Sequence, residues 1–499
     1  MVSPQVESRA GPGRRKGRRK GRRMRVVAAF LVNTLFNFAI GLLVARFLGP
    51  EQFGKFALAL AVGLLVQNAA FDWIRLTTAR FYSERMRLAS PQLRATLDVT
   101  FALIACALAA LVLAVMMSGL RFRLSNGLIG LAITASITNG LFDYNTALVR
   151  ARFHDRLYTR LIITKNLLAL LFTTGGAYVF GSAQMALVGI CVSMGGSVLI
   201  AREALSDEGA KPSLAQRKLA LDCLRYSLPI VTANVLYLAI PLLNRSLVTA
   251  RYGFAETGQF SLAYDIGTRV VAAIGSALDV LLFQIAVRAD ELHGPERARD
   301  QIARNMTMVL LVLLPACLGL WQVLPSLQAI AVPAQFRGPF AHYLVLLLPG
   351  LFCYGMMAFA INPVFQIRKS TGPLIAAALV ACCVEASFVF WGPRTADASG
   401  LAIAQAAALV AALLALVCLA VRTQPKWPAP RDVVAILLAS GAMTAVLLPL
   451  NARPVGLATL LIQVLMGGVV YAAAILVLDA AGLRSALLGM MRKRRVKPA

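Results

Sequence analysis

The chain has 499 residues, 59% of them hydrophobic, and a mean hydropathy of +0.72, which is more apolar side chain than a water-soluble core can hide. A spanning helix takes roughly 20 mostly apolar residues at ~1.5 Å each, and such stretches run almost without a break from Met24 to Leu483. That leaves no room for a separate soluble domain. The formal charge of +28 would suit a nucleic-acid partner if it formed a folded patch, but its densest part is the tail RRKGRRKGRR at residues 14–23. With nothing apolar to fold around, this tail reads as a disordered cytoplasmic segment in contact with anionic headgroups, at ~1 kcal/mol per basic residue, and no nucleic-acid partner is expected. The apolar stretch after Met24 is of full spanning length and lacks a small-residue cleavage site, unlike a cleaved signal peptide.

In chain order, apolar windows place spans near residues 25–47, 54–79, 96–118, 127–149, 158–180, 184–201, 227–249, 259–287, 304–324, 340–366, 373–391, 399–421, 432–450 and 455–479. The expected fold is therefore all-α and polytopic, with about fourteen transmembrane helices. Most of the 50 lysines and arginines fall in alternate connections when the N-terminus is put inside, so both termini are expected in the cytoplasm.

An internal repeat lies within this series. Gly49–Ala59 aligns with Gly253–Ala263, matching at Gly49 and Gly253, Gly54 and Gly258, Phe56 and Phe260, Leu58 and Leu262, and the closing alanine. Both copies fall between the first and second spans of a half, and an even number of spans separates them. Two pseudo-symmetric six-helix bundles with the same topology follow, related by an axis along the membrane normal and enclosing a central cavity. The expected layout is a basic tail over 1–24, an N-terminal bundle over 25–201, a cytoplasmic linker over 202–226, a C-terminal bundle over 227–421, two additional helices over 422–483 and a second basic tail over 484–499.

The segment ARFLGPEQFGKFALA, Ala45 to Ala59, resembles the opening signature of the polysaccharide transporter family, the O-antigen and exopolysaccharide flippases. Asn145–Phe153, at the end of the fourth span, resembles the same family. That family lies within the wider superfamily containing the lipid II flippase and the multidrug and toxin extrusion exporters. The resemblance implies transport of an undecaprenyl-diphosphate-linked oligosaccharide across a bacterial inner membrane by alternating access. Membrane lipids and, in some settings, polysaccharide polymerase machinery would be its partners. A cation-coupled multidrug exporter shares the architecture, and a membrane glycan polymerase or ligase is the rival from another class.

Charges inside a bilayer cost ~2.5–3.5 kcal/mol each on insertion scales and so tend to line cavities or pair. Arg75, Arg245 and Arg269 fall inside spans, and Arg46 ends the first span beside the signature hairpin. A guanidinium fork suits a lipid diphosphate better than an organic cation, which makes these four the candidate substrate-binding residues. Local pairing competes with that role, because Asp72 lies three residues before Arg75 and Asp265 four before Arg269. Arg245 has no acidic neighbour within a turn and is the strongest single candidate. Asp143, Asp279 and Glu385 read as unpaired intramembrane carboxylates, with Asp279 or Asp143 the candidates for ion coupling. Pro241, in mid-span, frees the carbonyl of Tyr237 and is the candidate hinge. Eight cysteines without metal spacing and three histidines at span ends indicate neither a metal site nor a cofactor, and no catalytic constellation supports an enzyme.

Overall fold

The computed structural model describes residues 12–485 other than 85–86, 88–89, 120–122, 208, 368–369, 393–394 and 424. The side chains of residues 12–35, and a few others inside helices, are also outside the described set; Asp279 is one of these, as is the C-terminal tail over 486–499. Every regular element among the described residues is a helix. They are α1 (Pro12–Phe81), α2 (Pro91–Met117), α3 (Asn126–Ala151), α4 (Asp155–Leu168), α5 (Gly175–Phe180), α6 (Ala183–Ile200), α7 (Arg217–Tyr252) and α8 (Phe254–His293). There follow α9 (Pro295–Ala331), α10 (Pro339–Met356), α11 (Asn362–Ile367), α12 (Gly372–Trp391), α13 (Ser399–Val421), α14 (Pro430–Leu447) and α15 (Leu457–Leu478). A π-helical turn, Ala169–Thr174, joins α4 to α5, and another, Met357–Ile361, joins α10 to α11.

By length and composition, 11 helices among the described residues can cross a membrane. The expected fourteen differs from this for two reasons. Phe36–Phe81 counts as one helix although Gly49 breaks it (φ 71, ψ 171). In addition, α3 and α8 fall outside the apolar set, and their polar residues include Asn139 and Asp143 on one and Asp265 and Arg269 on the other. The tail also departs from expectation, because α1 begins at Pro12 and makes the arginine-rich stretch helical. Extending an existing helix is far easier than nucleating one, and arginine and lysine are good helix formers. The expected linker is shortened in the same way, since α7 starts at Arg217.

The repeat has a direct structural counterpart. Gly49 and Gly253 (φ 90, ψ 178) adopt the same left-handed, extended break at matched positions, a conformation that favours a residue without Cβ. Pro50 follows the first break, where its missing N–H costs little. A Cβ on Gly54 would run into the Phe254 carbonyl and lie 2.9 Å from Gly258 N, and one on Gly258 would run into the Pro50 carbonyl and lie 3.1 Å from Gly54 N. The two hairpins thus pack backbone to backbone, each through its own second glycine. Around this contact the apolar core runs continuously through both halves, from Phe53 and Phe56 to Phe260, Phe336 and Phe340.

The final pair, α14 and α15, docks on α9. Ala435, Ile436 and Ile475 pack against Leu310, Leu311 and Leu314, Tyr471 Oη donates to the Leu311 carbonyl at 2.6 Å, and Asn451 Nδ2 donates to Gln322 Oε1 at 2.8 Å while accepting from Gln463 Nε2 at 2.8 Å.

Candidate functional site

Two chambers meet in the middle of the helical assembly. The first, about 480 Å³, lies among α1, α3, α4, α6 and α8 and is lined by Asn37, Asn139, Lys165, Thr173, Ser193 and Arg269. The second, about 560 Å³, lies among α1, α7, α8 and α10 and is lined by Asn68, Asn234, Tyr237, Arg245, Tyr264, Asp265, Tyr354 and Arg269, among others. Both volumes fall in the ~300–1,000 Å³ range of small-molecule sites. Each chamber is flanked by one of the π turns, through Ala169 and Thr173 in the first and Met357 and Ala358 in the second. An extra residue in a helical turn displaces side chains from the regular register, a distortion concentrated at functional positions.

Arg269 is common to both chambers. Its Nη1 donates to the Asn37 carbonyl at 2.5 Å, and Lys165 Nζ donates to Asn37 Oδ1 at 3.1 Å. One asparagine thus holds two cations, on its main chain and on its side chain. Among the described residues, neither cation has a carboxylate within ion-pair range and the first chamber has no acidic residue in its lining. Asp143, the carboxylate that interacts with Lys165 through space, lies beyond ion-pair range and accepts instead from Gln67 Nε2 at 2.7 Å. Two charges of like sign, confined together in a polar recess, make a candidate anion site, because each N–H left free gains most from an ionised acceptor. Gly41 makes room for it: a Cβ there would overlap Arg269 Nη1.

The sequence-derived candidates separate clearly. Arg269 lines both chambers. Arg245 lines the second chamber but is not unpaired: only 4% exposed, it donates to Asp265 and, at 3.0 Å, to the Ala57 carbonyl, with its guanidinium 5.5 Å from the Tyr264 ring centre. Asp265 stood as a competing local partner for Arg269 on its own helix. The structure gives it to Arg245 on the neighbouring helix, because a guanidinium sealed off from water needs a counter-charge more than one that opens on a cavity. Arg75 pairs with Asp72 at 2.5 Å, the local bridge anticipated from their spacing, and lines neither chamber. Arg46 is exposed next to the Gly49 break and also lines neither. Asp143 is engaged by Gln67, so it is not the unpartnered carboxylate expected. The side chain of Asp279 lies outside the described residues. Pro241 is buried within α7, which stays helical through it, and borders the second chamber. Glu385 is 2% exposed beside Asn244 and Gln405, with neither carboxylate oxygen in hydrogen-bond geometry.

Sequence reasoning missed Lys165 and Asn37. Lys165 stands inside the 158–180 apolar window, seven residues from its start. That depth was the signal that could have found it.

A chain whose regular elements, among the described residues, are all helices, 11 of them fit to cross a membrane, around paired polar chambers is a multi-pass membrane protein. Residues 43–332, more than half its length, match the family described as polysaccharide biosynthesis protein, and the chain belongs to that family. No curated protein matches its sequence. Among solved structures it is similar to the lipid II flippase MurJ in an inward closed conformation, with a TM-score of 0.65 and 14% identity over 91% of this chain and 98% of that one. It is also similar to an inward-facing multidrug resistance MATE family transporter of the MOP superfamily, with a TM-score of 0.57 and 15% identity over 79% of this chain and 98% of that one. At these identities the likeness is one of fold.

Proposed function

We propose that the protein is a flippase that carries an undecaprenyl-diphosphate-linked oligosaccharide across the bacterial inner membrane for O-antigen or exopolysaccharide assembly, without chemical change to its cargo. The observation that carries this reading is the pair of cations on Asn37, Arg269 and Lys165, uncompensated among the described residues. A diphosphate supplies several anionic oxygens to such a site, and the guanidinium can take two of them at once. The same charge balance speaks against a multidrug exporter for lipophilic cations: among the described residues, the two chambers carry Arg245, Arg269 and Lys165 against the single carboxylate of Asp265.

Alternating access would expose the chambers to each side in turn, with the N- and C-terminal halves moving about the glycine contact and both termini in the cytoplasm. In cells lacking the gene, lipid-linked repeat units are expected to accumulate on the cytoplasmic leaflet. Wild type should restore export. Arg269→Gln and Lys165→Met should each lower it at least about tenfold, the loss of one charge-assisted contact, at unchanged protein level. Full restoration by both variants would overturn the assignment of the anion site, and accumulation of a dye instead of glycan would favour an exporter.

A further inference from the structure

The two chambers differ in chemistry, and the difference divides the cargo between them. In the first chamber, the described lining carries two cations, Lys165 and Arg269, and no carboxylate. In the second, the Arg245 charge is neutralised by Asp265, and three tyrosines, Tyr237, Tyr264 and Tyr354, share the wall with the amides of Asn68, Asn234 and Asn362. Among the described residues no side-chain hydrogen bond engages Asn234, Asn362 or the Tyr354 hydroxyl. These groups face a cavity of about 560 Å³ with their donors and acceptors unspent. Polar groups inside a membrane protein are costly unless they find partners, so a set of them kept open on a chamber is a set awaiting hydroxyl groups.

A pyranose ring matches that wall on both counts. Its C–H faces lie flat on aromatic rings, and its hydroxyls both donate to and accept from amides and phenols. A hydrocarbon chain would leave the amides unpaired, and a second anion would find only a charge already compensated. Arg269 lies on the boundary of both chambers, so a phosphate held there places its attached sugar at the mouth of the second. We propose that the chamber lined by Tyr237, Tyr354, Asn234 and Asn362 is a sugar-binding subsite, which takes the neutral pyranose next to the diphosphate and sets the glycan preference of the protein. This rests on the reading of Arg269 and Lys165 as the diphosphate site.

The test uses the full-length protein in nanodiscs and three probes: undecaprenyl diphosphate without sugar, and the same lipid carrying one N-acetylglucosamine or one galactose. At least one of the glycosylated lipids is expected to bind wild type about tenfold more tightly than the bare lipid. Asn234→Ala, Asn362→Ala and Tyr354→Ala should erase most of that advantage and leave affinity for the bare lipid within about twofold. Tyr354→Phe, which keeps the ring and the packing, should retain part of it. Arg269→Gln should weaken all three lipids alike. Equal binding of bare and glycosylated lipids by wild type would overturn the subsite and leave the diphosphate reading intact, as would an advantage that survives all three alanine variants. If Arg269→Gln changes none of the affinities, or if wild type binds none of the lipids, the diphosphate reading falls and the subsite falls with it.

Discussion

At the scale of single residues, the central question is how a membrane protein keeps a positive charge available. Burial forces most cations into partnership, as it does with Arg245 and Asp265 or Arg75 and Asp72. Arg269 and Lys165 escape because both lean on the neutral Asn37, which accepts from each and cancels neither. Gly41 is part of that arrangement, since any side chain there collides with the Arg269 guanidinium. Gly41→Ala is therefore expected to push Arg269 off the Asn37 carbonyl and to lower glycan export several-fold. The end of a long side chain can shift at small cost, so the variant should unfold at the wild-type temperature. Wild-type export by Gly41→Ala would show that the guanidinium position is not needed. The sequence made Arg269 visible as a charge at membrane depth and left its pairing with Asp265 open, because spacing along one helix says nothing about a partner on the next. Arg245 and Asp265 stand twenty residues apart in the chain and meet only when α7 packs beside α8.

At the scale of elements, the breaks in the helices matter more than the helices. Gly49 and Gly253 were legible as a repeated pair because the residues around them repeat too, and backbone that demands a positive φ leaves a glycine in the sequence. The π turns at Ala169–Thr174 and Met357–Ile361 left no such mark, since their composition is that of any apolar helix. Pro241 was legible, and it stands on the wall of the second chamber, where a bend would shift Tyr237, one turn before it, relative to Arg245, one turn after it. Pro241→Ala restores a backbone donor to α7 and stiffens it. It is expected to reduce transport several-fold while leaving binding of undecaprenyl diphosphate unchanged; equal transport rates in the two proteins would remove the hinge.

At the scale of the whole molecule, the halves touch at both ends of the cavity by different means. At one end Thr77 and Ser227 share a hydroxyl contact of 3.2 Å, with Ser227 Oγ also donating to the Trp73 carbonyl at 3.3 Å. At the other end stand Gly54 and Gly258. The last two spans lie apart from this machinery, held to α9 by the amide chain of Gln322, Asn451 and Gln463. Asn451→Leu should strip two buried glutamines of their partners and lower the thermal unfolding midpoint by the equivalent of ~0.6–1.7 kcal/mol, the range for single contacts between membrane helices. Affinity for undecaprenyl diphosphate should be untouched, and a parallel loss of affinity would tie these spans to the site. The glycine contact itself carries a consequence for control. Peptide groups have nothing to titrate and no rotamer to switch, but beside them Lys55 pairs with Glu51 at 2.7 Å and lies 5.4 Å from the centre of the Phe254 ring on the opposite hairpin, so acidity and salt reach the junction through that pair. The seam between the hairpins thus has a charged clasp of its own, separate from the cations in the chambers, and weakening it with salt would loosen the contact without touching what fills them.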